Sequence, residues 1–146
     1  MPSRRSGTFE MAMIVLDASV ALKWIFTDEE GEDRAVRYRD RHISGEEVIA
    51  VPELFFYEIG NVLTTKTSLG NEAVSEAFSL LWNFDLEVFS LGYEEFLSSL
   101  ALSRRYKITL YDAAYIELAK KLECDFVTFD KKLFEKAKGL KRIKVL

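Results

Sequence analysis

Four acidic side chains stand at positions where their surroundings are apolar. Asp17 ends the strand-like run "MIVLD" and leads straight into a second apolar run, "ASVALKWIF". Asp130 closes "DFVTFD" in the same way. On a helical wheel of about 100° per residue, Glu58 in "PELFFYEIGNVLTTKTS" shares a face with Leu54, Phe55 and Val62, with Asn61 beside it. Asp112 in "TLYDAAYIELAKKL" lies on the side of Tyr115, Ile116 and Ala119. An unpaired carboxylate in such a setting takes up a proton or needs a cation or hydrogen-bond donors. Like charges brought close together cannot all stay ionised without a counter-charge. An all-oxygen donor set with no Cys or His nearby favours Mg²⁺ or Mn²⁺ over zinc.

Each acid taken singly has a plainer explanation. Asp17, with Ser19 two residues on, can cap the helix that follows, and Asp130 can cap "KKLFEKAKG". Thr109 and Asp112 have the spacing of a capping box, T-x-x-D, and an acid in a first helical turn favours the helix dipole. Glu58 can pair with an arginine. The distinguishing question is whether the chain brings all four together.

Strand-like runs rich in Val, Ile and Phe occupy 13–17, 47–51, 86–91, 125–130 and 142–146. Helical patterns occupy 18–26, 30–44, 52–68, 71–84, 94–106, 111–122 and 131–139. Pro52 suits a first helical turn, and Gly70 and Gly139 suit helix ends that need positive φ. Short apolar strands alternating with helices predict an α/β fold, a three-layer α/β/α sandwich around a short central parallel sheet. In such sheets ligands bind at the carboxyl ends of the strands, at the point where strand order reverses. Asp17 and Asp130 both fall at that edge.

The 146 residues fit one domain, expected over 13–146, with 1–12 as a loose tail or start-site extension in which Met11 and Met13 are candidate initiators. A hydrophobic content of 49%, without any apolar run near the roughly 18 residues of a membrane span, predicts a soluble globule with no membrane partner. The lone Cys124 cannot form an internal disulfide, which points to a reducing cytoplasm. The lone His42 lies in a polar helix and is expected at the surface without a role. Net charge is −4, but unevenly spread. Residues 1–102 hold eight Lys and Arg against 18 Asp and Glu, while residues 103–146 hold 12 against six. The basic C-terminal third is either a solvated helix face or a flank that contacts phosphates.

The ordered set "VLDAS", "PELFFYEIGNVL", "TLYDAAYIELAKKL" and "DFVTFDKKL" resembles the PIN domain, specifically the toxin ribonucleases of prokaryotic VapBC toxin–antitoxin modules. The likeness runs from Met13 to Leu146. It implies that Asp17, Glu58 and Asp112 fill three core acidic positions and Asp130 a fourth, more variable one. Ser19 and Thr128 match supporting hydroxyl positions, and Asn61 a polar position beside the glutamate. The implied activity is Mg²⁺- or Mn²⁺-dependent hydrolysis of RNA phosphodiesters, with Asp130 as a second-metal ligand or water positioner. The implied partners are RNA, a small VapB-like antitoxin and a second copy of the chain. An inactive PIN-fold binding module, or an RNA-processing nuclease outside any toxin pair, stays open as an alternative. A receiver domain or a D-x-D phosphatase fits less well, because "DAS" carries a single acid after the first strand.

Overall fold

The computed structural model describes residues 12–27 and 30–146; the expected tail at 1–12 lies, except for Ala12, outside the described residues. The elements, in chain order, are β1 (Ala12–Leu16), α1 (Ala18–Ile25), α2 (Glu32–Ser44), β2 (Glu47–Pro52), α3 (Leu54–Thr65) and α4 (Asn71–Trp82). They continue with β3 (Glu87–Phe89), α5 (Tyr93–Tyr106), α6 (Leu110–Leu122), β4 (Asp125–Thr128), α7 (Lys131–Lys136) and β5 (Ile143–Val145). The five strands pair in the order β3-β2-β1-β4-β5, all parallel.

From β1 the chain steps outward through β2 to β3, then returns across the sheet to β4 and β5. With this strand order, the right-handed rule for parallel crossovers puts α1 to α4 over one face of the sheet and α5 to α7 over the other. The predicted α/β/α sandwich is the observed architecture. The central strands β1, β2 and β4 are covered on both faces, so Val15, Leu16, Ile49, Val51 and Val127 are fully buried without alternation. Helix α6 lies across β1, β2 and β4, and Tyr115 and Leu118 on it are wholly buried. The strand order reverses between β1 and β4, and that is where Asp17 and Asp130 emerge.

Several local expectations are corrected. The edge strands β3 and β5 span three residues each, against runs of six and five read from the sequence. An edge strand pairs on one side only, and its ends peel away. Pro52 is the last residue of β2, in register with Phe89, and does not open α3. Gly70 has φ −75° and caps the N-terminus of α4; Gly139 is not among the positive-φ residues either. Positive φ occurs at Gly31 and at Gly45, which ends α2. Helices α5 and α6 end instead on left-handed Lys107 and Glu123.

His42 is not a surface residue. It is buried, its Nδ1 accepts from the Ile49 backbone N–H at 3.0 Å, and its Nε2 lies 2.9 Å from the Phe84 carbonyl, to which it donates in that tautomer. The ring ties α2 to β2 and to the turn after α4. Cys124 is buried after α6, and burial pushes its thiol up to about 11.

Candidate metal centre

Asp17 leaves β1 as the N-cap of α1. Its Oδ1 accepts from the Ser19 backbone N–H at 3.0 Å and from the Ser19 hydroxyl, and its Oδ2 accepts from Thr128 Oγ1 at 2.6 Å. An ionised carboxylate offers roughly four lone-pair sites. Three are occupied here by neighbours, which fixes the group and leaves one for a ligand. The hydroxyls are themselves held: the Phe129 N–H donates to Ser19 Oγ at 2.9 Å, and the Asp130 N–H to Thr128 Oγ1 at 3.0 Å. Asp130 in turn caps α7 by accepting from the Leu133 N–H at 3.0 Å. The two strand ends at the switch point are thus stitched to each other through side chains.

Glu58 comes from the second turn of α3, where its Oε1 accepts from the Tyr115 hydroxyl at 2.7 Å. Asp112 sits in the first turn of α6, and its N–H donates to the Thr109 cap at 3.0 Å. The capping explanations for Asp17 and Asp130, and the Thr109–Asp112 spacing, therefore all hold. They do not compete with a site, since each cap leaves carboxylate surface facing one open cleft of about 290 Å³. Asp17, Ala18, Ser19, Glu58, Asn61, Val62, Asp112 and Asp130 line it. No arginine pairs with Glu58 among the described residues, which removes the plainer reading of that residue.

The electrostatics are those of acids buried close to one another. Burial pushes the Asp17 carboxyl up to about 6, against the Ser19 and Thr128 hydrogen bonds and with the charge of Asp112 adding to the rise. Glu58 is pushed up to about 7, first by burial, with Tyr115 opposing and Asp17 and Asp112 adding. Asp112 is raised by burial and by Asp130, while the Thr109 hydroxyl and the Lys136 ammonium pull it down.

Among the described residues no group of three or more Asp, Glu, His or Cys side chains is placed to hold a metal ion as it stands. The four acids ring an open cleft instead. That suits a hard cation which keeps part of its water shell and meets only some carboxylates directly, as Mg²⁺ does. The donor set is all oxygen, the acids feel one another's charge, and among the described residues no Lys or Arg lines the cleft, Lys136 acting on Asp112 from α7. The residues present fit a hydrated Mg²⁺ or Mn²⁺.

Of the seven residues singled out in the sequence, all but Thr128 line the cleft, and Thr128 stands directly behind Asp17. Asn61 is exposed beside Glu58, and its backbone carbonyl accepts from Thr65 Oγ1 at 2.6 Å. Tyr115 was not singled out for the site. The available signal was its position three residues after Asp112 on the same face. Lys136 was also unforeseen, because α7 had to be folded back before its charge could reach Asp112.

The PIN domain family model matches residues 14–140. Ribonuclease VapC3 from Pyrobaculum aerophilum is 31% identical over 131 residues, which covers 87% of this chain and 96% of that protein. Among solved structures, VapBC2 from Rickettsia felis, bound to a DNA fragment from its promoter, superposes with a TM-score of 0.66 at 12% identity. The match covers 92% of this chain and 97% of that one. VapC20 from Mycobacterium tuberculosis, a sarcin-ricin loop cleaving toxin, gives 0.65 at 15% identity, covering 85% and 95%. At these identities the two structures speak for the fold.

Proposed function

The chain belongs to the PIN-domain family, and we propose that it is a divalent-metal-dependent endoribonuclease, the toxin of a type II toxin–antitoxin pair. The observation that carries this reading is the convergence of four carboxylates on one cleft at the switch point, three of them with raised proton affinity. Family membership and the similarity to a ribonuclease support it.

Asp17, Glu58 and Asp112 would hold Mg²⁺ or Mn²⁺, directly or through water, with Asp130 holding a second ion or orienting the attacking water. When bound, the ion acidifies water and neutralises charge on the scissile phosphate. The chain's own groups supply the rest. Ser19 and Thr128 keep the Asp17 carboxylate ionised and immobile by donating to it. Tyr115 does the same for Glu58. Asn61, at the cleft rim, offers an amide to the substrate. Lys131 and Lys132, directly after Asp130, and Lys136 at the end of α7 present positive charge to the RNA backbone, with Lys136 the one that Asp112 feels. "SRRYK" at the end of α5 contributes no residue to the cleft and is a more distant backbone contact.

A homodimer and a VapB-like antitoxin complete the reading. The likeness to VapBC2 from Rickettsia felis supports a VapB-like partner. Exposed Leu80 and Trp82 on α4, and Leu97 and Leu100 on α5, offer apolar surface for such contacts. Among the described residues no helix is long and apolar enough to cross a membrane.

The test is cleavage of a mixed pool of structured and single-stranded RNAs in Mn²⁺, Mg²⁺ or EDTA, beside an Asp112→Asn variant shown to keep its fold. Metal-dependent cutting that the variant loses is the expected result. Cutting that persists in both EDTA and the variant would overturn the site. Absence of both cutting and metal binding would favour a PIN-fold binding module.

A further inference from the structure

We propose that the apolar pocket beside the carboxylate cleft receives an unpaired nucleobase of the RNA strand being cut. The proposal rests on the ribonuclease reading and deepens it, since it names the residues that would hold a base flanking the cut.

The pocket has a volume of about 350 Å³ and lies between the ends of β2 and β3 and the first turns of α3 and α6. It shares those two helices with the metal centre. Tyr57 precedes Glu58 on α3, and Tyr111 precedes Asp112 on α6; both tyrosines line the pocket. Successive helical residues point about 100° apart, so each helix shows a carboxylate to the cleft and a tyrosine to the neighbouring pocket. A strand whose phosphate reaches the acids therefore has a flanking base within reach of the two rings.

The chemistry of the lining separates a base from other occupants. Tyr57 is 76% exposed and Tyr111 62%, and neither packs against the hydrophobic core. The two rings stand open beside the cleft, and a tyrosine ring offers a π-face for stacking. The one charged side chain in the lining is Glu53. An acid repels phosphate, so the pocket excludes the RNA backbone and admits an uncharged ring. The same carboxylate can accept from a base amino group. A base inside a duplex has both faces stacked and cannot enter.

The experiment uses the full chain carrying Asp112→Asn, so that RNA is bound and not cut. Equilibrium binding in Mn²⁺ is measured for a single-stranded RNA of mixed sequence, for the same strand carrying abasic positions, and for its duplex. The parent should prefer the base-bearing strand. Tyr57→Ala with Tyr111→Ala should weaken that binding by about 10-fold or more, in line with the loss of a stacked base, and leave abasic and duplex RNA unaffected. The Phe variants at both positions should bind as the parent does. If the double Ala variant still distinguishes base-bearing from abasic RNA as the parent does, the proposal is overturned. A change from dimer to monomer by light scattering, with that discrimination intact, would identify the pocket as an interface between copies. Failure of the ribonuclease reading shows separately, as the absence of metal-dependent cutting by the unmodified protein.

Discussion

Thr128 and Asp17 share a 2.6 Å hydrogen bond, with the buried threonine hydroxyl donating to Asp17 Oδ2 across 111 positions of chain. It joins the two strands at the switch point, and the same hydroxyl accepts from the Asp130 N–H. Thr128→Val keeps the volume but leaves the Asp17 oxygen short of a donor and the Asp130 amide without its acceptor. A buried group left unpaired costs about 1–3 kcal/mol, and the part-buried Asp130 amide, which water can reach, adds less. Urea unfolding should show a loss of about that size, with RNA cleavage reduced further because both acids shift. Thr128→Ser should retain most of both, and equal losses in the two variants would refute the role of the hydroxyl.

Metal-free protein should become less stable as pH rises from about 4 to 7. The folded state raises Asp17 from 3.8 to about 6 and Glu58 from 4.5 to about 7, so it binds protons more tightly than the unfolded chain. A raised acid contributes its full stability below its unfolded pKa and loses it as pH climbs through the folded one. For nearly fully buried Asp17 the shift corresponds to about 3 kcal/mol; half-buried Glu58 adds less. Unfolding in EDTA at pH 5 and pH 8 should show the decline, Asp17→Asn should flatten it, and saturating Mn²⁺ should reverse it. An identical slope in Asp17→Asn would rule out Asp17 as its source.

The acids could be read from the sequence because each sits at an abrupt change of local pattern. Asp17 and Asp130 end apolar runs, and Glu58 and Asp112 interrupt apolar helix faces; the α/β order then brings all four to one edge. What could not be read depends on partners distant in the chain. His42 lies in a charged helix, "EDRAVRYRDRHIS", and only the arrival of Ile49 and Phe84 makes it a buried bridge. The partner of Tyr115 is 57 residues away. The edge strands are shorter than their apolar runs because pairing on one side sets their length, and composition does not record that.

Tyr115→Phe should weaken metal binding without unfolding the protein. The hydroxyl donates to Glu58 and opposes the rise in its proton affinity. Without it the carboxyl holds its proton to still higher pH, where the proton competes with the cation. Removing a hydrogen bond behind a ligand typically lowers metal affinity about 10–100-fold. The Mn²⁺ concentration for half-maximal cleavage should rise by that order, and the acid limb of the pH–rate profile should move up. A pH profile that does not move would mean that Tyr115 only packs.

Gly31 and Gly45 both have left-handed φ, +87° and +84°, yet their surroundings differ. Nothing lies within 4 Å of a Cβ built at Gly45, so Gly45→Ala should cost about 1 kcal/mol, the backbone penalty alone. A Cβ at Gly31 would stand 2.6 Å from Phe129 Cε1. That ring carries Lys23 and Arg34 over it at 5.0 and 5.5 Å, and its backbone N–H holds Ser19. Gly31→Ala must therefore displace a ring anchored beside the carboxylate cleft. It should lose more stability than Gly45→Ala and lower cleavage, which Gly45→Ala should leave intact. In a Phe129→Ala background most of the excess should vanish, because what remains besides the φ penalty is the end of the flexible Arg34 side chain at 3.1 Å. An excess that survives undiminished without the ring would place the strain in the α1–α2 turn itself.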